Sequence, residues 1–163
     1  MNGNRNHLIQ LIFATLFAPV VAAAVSAALL AMAVAPEFVF QVEVNSAEYR
    51  PATLREIATS LVGFGFIGAA MGAVLGWPAM VIAGLPAHRW LVRKGRTGGL
   101  TYSLFGVAVG TITMLVYFAA TGSWHHPLGL LAAWPLLLAG PVTGLLAAGL
   151  FWLIRRPDKI AIV

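Results

Sequence analysis

Residues Leu61 to Leu85, LVGFGFIGAAMGAVLGWPAMVIAGL, decide the fold. The run contains no Asp, Glu, Lys, Arg or His. As a helix rising 1.5 Å per residue it reaches roughly 37 Å, more than the ~30 Å hydrocarbon core of a bilayer. A buried core helix of a soluble protein has no need to exclude charge over such a length, so a membrane-spanning helix is the economical reading. Thr53 and Glu56 upstream have the spacing of a capping box, which predicts that this helix starts near Leu54, above the membrane surface.

Three further stretches share the pattern: His7 to Ala35, Leu100 to Thr121 and Leu128 to Ile154. Between Leu8 and Val34 there are thirteen Leu, Ile, Phe or Val. At about 0.3 to 0.6 kcal/mol each, they favour insertion by roughly 4 to 8 kcal/mol and outweigh Gln10, Thr15, Pro19 and Ser26. A cleaved signal peptide is the rival reading of this stretch, because Arg5 precedes it and Ala31-Met32-Ala33 resembles a cleavage site. The apolar run is far longer than the roughly 7 to 15 residues of a signal core, which favours a retained helix. The expectation is an all-α membrane protein, a four-helix transmembrane bundle forming a single domain over residues 1–163. Its helices fall at about 8–35, 54–85, 100–121 and 128–154, with a connecting segment at 36–60.

Composition agrees. Of the 163 residues 60% are hydrophobic and 9% charged, against about 25% charged in soluble domains, and the mean hydropathy is +0.89. The absence of cysteine excludes disulfides, thiolate nucleophiles, iron–sulfur clusters and thiolate-ligated zinc. The net charge of +5 would suggest nucleic acid in a soluble chain, but here the basic residues cluster at the helix ends, so no nucleic-acid partner is expected.

The positions of those charges predict an orientation. Arg5, Arg89, Arg93, Lys94, Arg96, Arg155, Arg156 and Lys159 fall on one side of the four helices, and only Arg50 and Arg55 on the other. Positively charged loops resist translocation, so both termini and the basic loop carrying Arg89, Arg93, Lys94 and Arg96 are expected in the cytoplasm of an inner-membrane protein. Trp90, Tyr102 and Trp152 near the inner interface and Trp124 near the outer one fit the same frame. The outer segment is acidic, with Glu37, Glu43, Glu48 and Glu56 against two arginines. Within it Phe38, Phe40, Val42 and Val44 alternate with Val39, Gln41 and Glu43, a period of two that suggests a strand or extended segment without a visible partner. Arg50-Pro51 reads as a turn before the next helix.

A weak internal likeness runs through the chain. Trp90-Leu91-Val92-Arg93-Lys94 resembles Trp152-Leu153-Ile154-Arg155-Arg156, and each follows a Trp-Pro pair, Trp77-Pro78 and Trp134-Pro135. Two related helical hairpins would produce this. So would the recurrence of aromatic and basic residues at every inner helix end, and unequal spacings favour that second account.

Small residues form the most informative pattern. At about 100° per residue, Gly65, Gly68, Gly72, Gly76, Ala79 and Ala83 share roughly 80° of the second helix, away from Phe66, Val74 and Trp77. The fourth helix carries Gly140, Gly144, Ala147 and Ala148, and the third Ser103, Gly106 and Gly110. Such faces let backbones approach closely and drive helix association in lipid. Either they pack the four helices on one another, or they form a seam with another membrane protein or a second copy.

Reactive groups are scarce. The four histidines, His7, His88, His125 and His126, lie at interfaces or in loops, so no haem or other cofactor is expected at membrane depth. Adjacent His125 and His126 offer no fixed metal geometry, and a solvated turn explains them. No ionisable residue sits within the apolar stretches to carry protons, unless Glu37, Glu43 or Glu56 folds back into the bundle mouth. Tyr117, Thr111, Thr113 and Thr143 could line a path, although such hydroxyls usually bond to their own backbone. No carboxylate pair, Ser-His arrangement or phosphate loop is placed for catalysis, so no enzymatic activity is expected. The sequence therefore predicts a non-enzymatic accessory or structural subunit, packed in the lipid bilayer against a larger inner-membrane complex through small-residue helix faces. The alternative is a small passive channel or transporter built as a homo-oligomer. An enzyme acting on lipids would instead bring an outer carboxylate and a histidine into one pocket.

Overall fold

The computed structural model describes residues 2–45, 48–122 and 134–155. Four of its helices are long and apolar enough to cross a membrane, and their faces suit contact with lipid. Helix α1 covers Asn2–Val34 with Pro19 inside it. A helical turn, α2 (Glu37–Phe40), leads into strands β1 (Gln41–Asn45) and β2 (Glu48–Pro51). Then come α3 (Leu54–Arg93), α4 (Gly99–Ala120) and α5 (Trp134–Arg155).

The connecting segment differs from its sequence reading. The alternating stretch from Phe38 opens as a helical turn, and only Gln41–Asn45 is strand. Its partner is β2, antiparallel, with Val42 opposite Arg50 and Glu43 opposite Tyr49. Arg50 and Pro51, read as a turn, belong to that second strand. A four-residue strand is too short to show a period of its own, which is why the partner was invisible. The capping box is present: the Thr53 hydroxyl accepts from the Glu56 amide, and the Glu56 carboxylate accepts from the Thr53 amide at 2.8 Å.

Helix α3 continues past Leu85, where the sequence suggested an end, through Pro86 to Arg93. Its 40 residues make roughly 60 Å, twice the hydrocarbon thickness, so it extends beyond the core. Two π-turns, Gly72–Gly76 and Met80–Gly84, each end two residues before a proline, Pro78 and Pro86. A proline leaves the carbonyl four residues back, Val74 or Ile82, without an N–H to accept from. Widening the register by one residue offers that carbonyl the next amide along, so the helix continues past each proline without breaking. Gly95, at φ 67°, then closes the helix: its amide donates to the Val92 carbonyl at 3.0 Å and the Arg96 amide to Leu91 at 2.9 Å.

The helices form two close pairs, α1 with α3 and α4 with α5, joined where α5 packs on α1. Contact between α3 and α4 is sparse and concentrated around Trp77–Gly84. The Trp77 indole donates to the Leu16 carbonyl at 2.9 Å, tying α3 to α1 three residues before Pro19. The Trp152 indole donates to the Thr97 carbonyl at 2.8 Å and its ring lies 3.5 Å from where a Cβ on Gly99 would be, which fixes the α3–α4 loop against α5. Trp90, the counterpart of Trp152 in the sequence likeness, is exposed instead. Near this basic end Ala14, Ala18, Leu91, Tyr102 and Phe151 form the buried core.

Candidate functional site

The small-residue faces are covered by the chain's own helices. A Cβ on Gly72 would lie 2.7 Å from both the Ala23 Cβ and the Pro19 carbonyl oxygen, and one on Gly76 would lie 2.7 Å from the Pro19 Cβ. Gly68 meets Ala27 and the Ala23 carbonyl in the same way. Across the other pair, Gly106 faces Gly144 and Gly110 faces Gly140, so closely that an added methyl on any of the four would strike backbone. Gly65 makes only ordinary contact, 3.9 Å from Ala24, and Ala79 and Ala83 are half-buried. These glycines therefore have neighbours before any second protein arrives.

Because each of α3 and α4 is held by a different partner, a cleft remains between them. Its back wall comes from α1 and α5 and its sides from α3 and α4. The large exposed residues on its lining are Ile67 (64% exposed) and Met71 (39%) of α3 and Phe105 (37%) of α4, so it opens sideways between these two helices. The volume is about 460 Å³, within the roughly 300–1,000 Å³ of small-molecule pockets. On α3 the lining runs from Phe64 to His88, about 36 Å at the helical rise. That length matches the ~30 Å hydrocarbon core of a bilayer.

Its surface is almost wholly apolar. Thr113 lines it, but its hydroxyl donates to the Val109 carbonyl at 2.9 Å, as Thr111 does to Val107 at 2.8 Å. Ser26, 1% exposed, is the polar residue of the α1 wall, and its hydroxyl has no hydrogen-bond partner among the described residues. At the basic end the lining changes character. His88 Nδ1 and the Tyr102 hydroxyl share a hydrogen bond of 2.6 Å between α3 and α4, with the Phe151 ring edge-on to His88 at 5.2 Å. Arg155 and Arg89 add positive charge near the His88 ring. Arg89, Arg93, Lys94 and Arg96 are all exposed around this end.

Sequence reasoning placed His88 in a loop and gave it no role. The usable signal was spacing: Ala87, His88 and Leu91 share the buried face of an otherwise polar helix end.

The carboxylates gather at the other end. Glu56 accepts two hydrogen bonds from the Arg50 guanidinium, at 2.6 and 3.1 Å. It lies before Leu61, outside the apolar stretch. The Arg50 hydrogen bonds, then those from the Thr53 amide and hydroxyl, pull its carboxyl down to about 2. Among the described residues no outer carboxylate reaches a histidine, and no three metal-ligating side chains come together. His125 and His126 lie outside the described residues, as do Trp124, Arg156 and Lys159.

Fold and cleft together define a polytopic helical membrane protein with a laterally open apolar groove. Comparison with protein-family models, with curated proteins and with solved structures finds no match for the chain.

Proposed function

We propose that the protein is a non-enzymatic membrane component that holds an apolar chain drawn from the bilayer in the cleft between α3 and α4, and that it serves in this way as an accessory subunit of a larger inner-membrane assembly. The observation that carries the reading is the cleft itself: about 460 Å³, apolar along its length and open sideways to the surrounding lipid. An empty apolar cavity forfeits dispersion contacts along its lining, and a hydrocarbon chain restores them. The accessory role draws support from how little of the described chain lies beyond the helices, a short hairpin and the Lys94–Gly98 loop. Both termini and the basic loop are assigned to the cytoplasm, on the eight-to-two division of Lys and Arg.

Purification from native membranes in a mild detergent, followed by solvent extraction and mass spectrometry of lipids and proteins in the same sample, tests this. A stoichiometric apolar molecule together with a recurrent membrane-protein partner is the expected result. A protein that emerges alone and free of bound lipid under several mild conditions would refute it.

A further inference from the structure

We infer that the occupant is an acidic phospholipid from the leaflet at the basic end, with one acyl chain inside the cleft and its phosphate beside Arg89 and Arg155. This rests on the reading of the cleft given above and adds the chemistry of the headgroup.

Three observations converge. The cleft is apolar along its length and open sideways to lipid, which suits a hydrocarbon chain. Its one strongly polar end is the pair His88 and Tyr102, one residue from Arg89 and beside the basic α3–α4 loop. Charge at that end has a single sign among the described residues: Arg89, Arg93, Lys94, Arg96 and Arg155 surround it, while Glu37, Glu43, Glu48 and Glu56 all lie at the hairpin end. A zwitterionic headgroup would bring its own cation into this positive field, whereas an acidic phosphate meets it with net negative charge. The mouth at Phe105 lets an acyl chain enter sideways without the headgroup leaving the interface.

The test uses full-length protein in bilayer nanodiscs, with a phospholipid carrying a diazirine on one acyl chain, supplied as phosphatidylglycerol or as phosphatidylcholine. After illumination, adducts are mapped by peptide mass spectrometry. Phosphatidylglycerol is expected to label cleft residues of the basic half, Phe105, Val109 and Ala147, in preference to the outward-facing Ile82 and Leu104 at similar depth. Its cleft labelling should exceed that of phosphatidylcholine by roughly five-fold for each arginine that senses the phosphate. Arg89→Gln, an exposed change, should remove about one such factor. Equal cleft labelling by both lipids would overturn the acidic-lipid assignment and leave the cleft reading standing. Labelling confined to Ile82, Leu104 and other outward residues would overturn both.

Discussion

At residue scale, two glycines of α3 meet opposite surroundings. A Cβ on Gly72 would lie 2.7 Å from Ala23 and from Pro19, whereas one on Gly63 would meet nothing within 4 Å. Gly72→Leu must push α3 off α1, and overpacking of this kind costs about 1–3 kcal/mol or more. Gly63→Ala adds no clash and removes helix-disfavouring backbone freedom, worth up to about 1 kcal/mol in the other direction. Thermal unfolding of the two variants in detergent should therefore move the midpoint down for the first and leave it unchanged or raise it for the second. The small-residue stripe was legible in the sequence because a helix has a fixed angular period. Which helix would cover it was not, since Gly-rich faces accept any close backbone.

At element scale, the hairpin is joined to α3 by a compact set of hydrogen bonds. Arg50 of β2 and the Thr53 cap both converge on Glu56. The Glu56 carboxyl is held at about 2, below the ordinary carboxylate range. A depressed value means the charged form favours the folded state: its contribution is fully present above the unfolded carboxylate value and is lost as pH falls through about 2. Amide exchange in the first turn of α3 should accordingly stay protected, after correction for intrinsic rates, down to about pH 4, and protection should fall below that. Glu56→Gln should show the weakened protection at neutral pH. Unchanged exchange in both cases would show that the Arg50–Glu56 pair does not hold the junction. The capping box was readable in advance because it is local, three residues apart. The hairpin was not, because pairing joins Gln41–Asn45 to residues whose own pattern is too short to register. The continuation of α3 past Leu85 through Pro86 was equally hidden, because a π-turn leaves no signature in composition.

At the scale of the whole molecule, the spacing between α3 and α4 sets the width of the cleft. His88 and Tyr102 bridge those helices at 2.6 Å. Tyr102→Phe removes the hydroxyl and leaves a buried ring nitrogen without it, at a cost of about 1–2 kcal/mol. The expected outcome is a lower unfolding midpoint and a longer or broader distance distribution between spin labels on α3 and α4. The absence of native cysteine allows the labels to be placed singly. An unaltered distance distribution would mean that the bridge does not control the opening. By itself the sequence determined that the chain has four stretches long and apolar enough to cross a membrane, where its charges gather and which helix faces are narrow. Those properties are sums over neighbouring residues, since transfer of each side chain into lipid contributes independently of its distant partners. The cleft was decided only by tertiary structure. It exists because Gly68, Gly72 and Gly76 bind α3 to α1 while Gly106 and Gly110 bind α4 to α5, so the two helices that could have met are each drawn to another neighbour.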